Sequence, residues 1–318
     1  MKKVLVLLFA VVMSLVLLGC NNSEYQVDGT FTAYSVSVHS NAPQVTYVSV
    51  TIEDGKIVGY DIDVRQGSVD ETGDSPVYSW NESTKKELGD EYGMTSYGPK
   101  YELVDGAWVV TEGENSEYEW YEQAEMIEDF WLNNGVEATE TIDGRFSNIA
   151  GVTISDSSYS SLALKALELA VAGRFQAILC SADDLYIASM NYSSKGEVTN
   201  LMLDVLQGKP TAEGFAWSDK TKQELGDDYG MKLYGDRYEF TEGTWAVVDG
   251  ETSLYEWYEQ ANMITDYVEA NGWDGTLAPI GGRSGSLDGT TVIDDLAGVT
   301  VRTQTLYDVL ALLFDKTA

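Results

Sequence analysis

The chain has 318 residues, with 52 acidic against 19 basic side chains and a net charge of −33. Nucleic-acid phosphates need a partner of the opposite sign, so nucleic acid is excluded as a partner. With 44% hydrophobic residues the chain is rich enough in apolar side chains to bury real cores.

The first segment has the form of an export signal. Lys2 and Lys3 precede an apolar run from Val4 to Leu18, followed at once by Leu17-Leu18-Gly19-Cys20, a lipobox. Residues 1–19 are therefore expected to be removed. Cys20 becomes a diacylglycerol-bearing N-terminus, residues 20–26 a short tether, and the rest lies on the extracellular face of the cell membrane. Only Cys180 is then left, which excludes an intrachain disulfide, a Cys-rich metal site and c-type haem attachment. It lies in the apolar run Phe175–Cys180 and reads as an inert core thiol in a buried strand. His39, the only histidine, sits in a polar turn and reads as solvated. No metal set and no acid–base or nucleophilic constellation is recognisable.

Phe31–Val38 alternates as a half-buried strand does. Val45–Ile52 and Lys56–Val64 flank Asp54-Gly55, a strong hairpin signal, and Gly67–Pro76 reads as a loop. From Trp80 to Gly135 the chain lies on Trp217–Gly272 without a gap, with 32 identities in 56 positions: a tandem duplication. Within the block, Thr84–Asp90 and Thr221–Asp227 predict short helices, and Asp105-Gly106 and Glu242-Gly243 predict turns. A longer helix is expected from about Ser116 to Asn134. Its apolar face carries Trp120, Ala124, Ile127 and Trp131, repeated as Trp257, Ala261, Ile264 and Val268. Asn134-Gly135 and Asn271-Gly272 stop these helices.

Each unit then closes on the same string, Ala150-Gly151-Val152-Thr153 and Ala297-Gly298-Val299-Thr300, preceded by Arg145 and Arg283. Helical patterns follow over 160–172 and 305–314. A second set of strands begins near Gly173 and includes segments around Leu185–Ile187 and Leu201–Val205. Strands first and helices after imply an α+β fold with antiparallel sheets, in two tandem homologous units, 27–172 and 173–318.

The lipobox, the duplicated Glu-Leu-Gly-Asp-x-Tyr-Gly-Met blocks and the twice-placed Gly-Val-Thr together resemble the FMN-binding-domain flavoproteins. Among these, the chain is similar to the tandem-domain surface lipoproteins of extracellular electron transfer in Gram-positive bacteria. In that family a flavin transferase takes FMN from FAD and joins it through a phosphoester to threonine, at Asp-x-x-(Ser/Thr/Ala)-Gly-(Ala/Ser/Val)-Thr. Asp294–Thr300 matches in full, whereas Ser147–Thr153 has serine where the aspartate stands. The resemblance implies two covalent FMN groups, on Thr153 and Thr300, with Gly151 and Gly298 allowing backbone amides close to a phosphate. A strand or turn opening at Gly-Val-Thr is the plainer alternative.

An isoalloxazine ring needs an aromatic or thioether wall. Trp80, Tyr92, Met94 and Tyr97, with Trp217, Tyr229, Met231 and Tyr234, are the duplicated candidates. Arg145 and Arg283 either neutralise the phosphate or form surface ion pairs. The resemblance further implies membrane redox proteins or a quinol-linked donor as electron source, and ferric iron or another extracellular acceptor as sink. The competing reading is a non-redox surface lipoprotein, an adhesin or solute binder, that keeps the fold without flavin.

Overall fold

Alternating strands joined by tight turns build the first layer. The computed structural model describes residues 24–73, 76–211, 214–241, 244–273, 296 and 298–317. In it β1 (Gly29–His39), β2 (Ala42–Glu53), β3 (Lys56–Asp70) and β4 (Val77–Trp80) pair antiparallel in chain order. Ser40 and Asn41 in the first turn, and Asp54 and Gly55 in the second, all take positive φ. That backbone twist suits two-residue hairpins, as the Asp-Gly pair predicts. Gly67–Asp70 is not loop, as the sequence suggested, but strand, paired with β4 from Gly67–Trp80 to Asp70–Val77. Its composition is turn-like; the ladder to β4 overrides it.

Thr84 caps α1 (Lys85–Leu88) in a reciprocal capping box with Glu87. Then come α2 (Met94–Tyr97), the hairpin of β5 (Pro99–Val104) and β6 (Ala107–Asn115), and α3 (Trp120–Asn134). The last begins four residues after Ser116, because Glu119, boxed with Glu122, is its cap. Its predicted face, Trp120, Ala124, Ile127 and Trp131, is buried. Short β7 (Thr141–Ile142) and β8 (Arg145–Phe146) lead to Gly-Val-Thr, and α4 (Tyr159–Val171) then packs across β1 and β2.

The order recurs. β9 (Arg174–Ser181), β10 (Asp184–Tyr192) and β11 (Val198–Leu206) form a sheet, and β12 (Gly208–Thr211) pairs with β13 (Gly214–Trp217). After α5 (Lys222–Leu225) and α6 (Met231–Tyr234), β14 (Asp236–Thr241) pairs with β15 (Thr244–Thr252). α7 (Trp257–Asn271) lies on β11, and α8 (Gln304–Phe314) on β9 and β10. The fold is α+β.

The hydrophobic core runs from one repeat into the other. Phe31 on β1 and Phe175 on β9, both fully buried, stack with ring centroids 4.2 Å apart. Trp80 and Trp217 lie 6.1 Å apart across the same seam, where Trp217 Nε1 donates to the Ser37 carbonyl at 2.8 Å. Gly214, at φ 125°, admits the Asn41 side chain so closely that any Cβ there would collide with it. No described helix is long and apolar enough to cross a membrane. The export segment with Cys20, the Glu242-Gly243 turn, Arg283, Asp294 and Ala297 lie outside the described residues.

Candidate functional site

One buried glutamine in each repeat holds the Gly-Val-Thr string. Gln123, fully buried on α3, accepts at Oε1 from Thr153 N (2.7 Å), Ile154 N (3.1 Å) and Thr153 Oγ1 (3.2 Å). Its Nε2 donates to the Tyr118 carbonyl and Ser116 Oγ. Gln260 repeats this on α7, accepting from Thr300 N (2.7 Å), Val301 N (3.1 Å) and Thr300 Oγ1 (3.3 Å). The threonine backbone is therefore fixed while each hydroxyl, on a half-buried residue, makes one long bond. The glycines have a packing reason distinct from the phosphate approach expected of them. At Gly151 (φ 84°) a Cβ would meet Met126 Sδ at 3.0 Å, and at Gly298 it would meet the Tyr255 ring at 2.8 Å.

A second buried side chain per repeat pins the Tyr-Gly-Met turn beside this string. The Glu119 carboxylate accepts from Met94 N (2.8 Å), Thr95 N (2.9 Å) and the Thr95 hydroxyl, and Glu256 accepts from Met231 N and Lys232 N. Burial works to raise the Glu119 pKa. Bonds from the Thr95 hydroxyl and from the amides of Thr95, Met94 and Gly93 outweigh it and hold it below its ordinary value. A depressed carboxylate contributes stability that is full above the unfolded pKa of about 4.3 and is lost as pH falls through the folded value. Glu119→Gln is expected to cost about 1–3 kcal/mol at neutral pH, because an amide cannot accept from every donor the carboxylate serves. The gap to the parent should close below about pH 4, as urea unfolding at both pH values would show.

Two open cavities flank the string in each repeat. In the first, one of about 500 Å³ includes Tyr101, Leu103, Trp108, Gly151 and Thr153 in its lining. Its neighbour, of about 720 Å³, is lined by Lys85, Tyr92, Met94, Tyr97, Trp120, Arg145 and Ile154 among others. In the second repeat the equivalents measure about 320 Å³ and 350 Å³, and Thr300 lines both. Lys85 Nζ lies 5.0 Å from the Tyr92 ring and 5.4 Å from Trp120; Lys222 has the same distances to Tyr229 and Trp257. Arg145 lies over the Tyr101 ring at 3.6 Å and donates to the Thr153 carbonyl. Among the described residues it makes no ion pair. Trp108 Nε1 and Trp245 Nε1, at equivalent places on the cavity walls, are buried donors with no acceptor among the described residues.

The structure thus gathers Tyr92, Met94 and Tyr97 into the larger cavity of the first repeat, next to the Thr153 string. It gathers Tyr229, Met231 and Tyr234 with Thr300 in the second. Tyr97 and Tyr234 are 89% and 85% exposed, aromatic rings standing on the cavity lip. Trp80 and Trp217 are not there; they pack against each other between the sheets, so their duplication reflects a repeat–repeat contact and not a cavity wall. Residue-level reading missed Gln123 and Gln260, Lys85 and Lys222, Tyr101 and Tyr238, and the orphaned Trp108 and Trp245. Their one visible signal was identity between the copies, above all a glutamine kept at a core-facing position of an apolar helix stripe.

No protein-family model matches the chain, and no curated protein matches it significantly. Among solved structures it is similar to a solution NMR structure of a protein from Clostridium thermocellum. The two are 23% identical over 44% of this chain and 89% of that one, with a TM-score of 0.26.

Proposed function

We propose that the chain is a lipid-anchored extracellular electron carrier holding two FMN groups, one phosphoesterified to Thr153 and one to Thr300. The observation that carries this reading is the duplicated pairing of a backbone-clamped threonine with a cavity lined by a tryptophan whose buried indole N–H is orphaned. A buried donor without an acceptor is costly in any protein, and both copies keep it at the same place. A phosphate or a flavin carbonyl supplies acceptors of the right kind. The residues present fit the group in other respects too. Aromatic and thioether side chains line the larger cavities, and Lys85 and Arg145, or Lys222 and Arg302, supply positive charge in a strongly acidic protein.

Attachment joins the threonine Oγ1 to the FMN phosphorus of FAD, breaks the pyrophosphate bond, and releases AMP and the hydroxyl proton. The flavin transferase supplies the catalysis. Bound FMN supplies reversible electron transfer. The chain's own residues orient and screen: Gln123 and Gln260 fix the threonine backbone, and the Tyr-Gly-Met turns hold the aromatic wall. The cations offset the added negative charge. Cys20 tethers the carrier near membrane redox donors, and ferric iron or another external acceptor takes the electrons.

Coexpression with a flavin transferase tests the reading. The parent protein should gain the mass of two FMN groups less two waters and stay yellow after denaturation. Thr153→Ala and Thr300→Ala should each lose one group, and the double variant both. A colourless parent of unchanged mass overturns the reading and favours the flavin-free binding lipoprotein.

A further inference from the structure

A cavity of about 510 Å³ lies between the two repeats, away from both threonine strings. One wall is a face of the first sheet where hydroxyls stand in cross-strand pairs. Thr30 meets Thr51 at 3.3 Å, and Thr32 meets Ser49 at 2.8 Å. The other wall is apolar, formed by Ala177, Leu179 and Leu312 of the second repeat. Lys316 closes it, in the turn after α8, with Nζ donating to Thr32 Oγ1 at 2.9 Å.

That ammonium is unusual for its surroundings. It is largely buried, and among the described residues the Thr32 hydroxyl is the one acceptor for its three donors. Two carboxylates border the cavity, and neither pairs with it. Asp61 is engaged by Lys86 at 2.6 Å, and Asp315 is exposed. A second cation, Arg65, lines the same space and is bound through backbone carbonyls of Asn81 and Glu82. Burial pulls the Lys316 pKa down, and the charge of Asp61 opposes this only in part. In a chain of net charge −33, carboxylates are abundant, yet among the described residues this lysine forms no ion pair.

We propose that the inter-repeat cavity binds a small oxyanion, a phosphate or carboxylate group, with Lys316 as its charge partner and the Thr30 and Thr51 hydroxyls as donors beside it. The site belongs to neither threonine cavity and does not depend on flavin. Its walls come from the sheet of one repeat and the C-terminal turn of the other, so occupancy ties the repeats together. A ligand that binds only this docked state raises stability by mass action.

Calorimetric titration of the full chain with inorganic phosphate, at ionic strength held constant with sodium chloride, tests the site. The expected result is a saturable component that Lys316→Gln weakens at least tenfold and Thr51→Val weakens several-fold. A melting temperature that rises with phosphate in the parent but not in Lys316→Gln completes the expectation. Thr51→Val removes one hydroxyl at nearly constant shape, so it serves as the test if Lys316→Gln fails to fold. No saturable phosphate binding by the parent, or binding unchanged in the folded variants, overturns the proposal.

Discussion

Truncating Phe31 to alanine is expected to destabilise the whole chain by about 3–5 kcal/mol, the range for a fully buried aromatic side chain. It is also expected to move a single unfolding transition rather than one of two. The ring is fully buried and stacked on Phe175, which belongs to the other repeat, so the cavity left behind opens at the centre of the shared core. Packed interiors relax only partly around such a loss, and both sheets would feel it. Differential scanning calorimetry decides the matter. One peak displaced to lower temperature is expected for Phe31→Ala and, by symmetry of contact, for Phe175→Ala. Two resolved peaks, with only one displaced, would mean that the repeats unfold independently.

Replacing Gln123 by leucine should be nearly as severe, for a polar reason. Leucine fills similar space but strands the amides of Thr153 and Ile154, both bonded by Gln123 in the parent, and leaves the Tyr118 carbonyl only the Ser116 hydroxyl. A buried polar group left alone costs about 1–3 kcal/mol, and some of these reach water when the string loosens. A net loss of about 3–5 kcal/mol follows, at the top of the range for single substitutions. Under the proposed function the variant also releases the string that presents Thr153. Intact mass after coexpression with the transferase should fall by one FMN group, with Thr300 still loaded. Gln260→Leu should give the mirror result. Full loading of a folded Gln123→Leu protein would show that the clamp is structural alone.

Much of the fold was readable in the sequence because its signals are local. The Asp54-Gly55 hairpin, the 3.6-residue stripe of α3 and the helices after each threonine rest on spacing within a dozen residues. The strand at Gly67–Asp70 was not readable, since its pairing with β4 overrides a loop-like composition. The site was legible in part. The threonines and the Tyr-Gly-Met aromatics were marked by duplication, and the structure brings them side by side. Duplication could not separate side chains kept for a cavity from side chains kept for the seam between copies, and Trp80 and Trp217 fell on the wrong side of that line. Gln123 escaped because a single polar residue in an apolar stripe carries no period of its own; only its three acceptor bonds reveal its work.

The continuous core has a geometric corollary for the two hydroxyls. Beads on a flexible string sample many separations, and any exchange between them waits on chance encounters. Here Phe31, Phe175, Trp80 and Trp217 fill the junction, and α4 ends at Val171 only three residues before β9 begins at Arg174. Interlocked side chains, not a slack leash, therefore set the span from Thr153 to Thr300, so the molecule carries its own ruler.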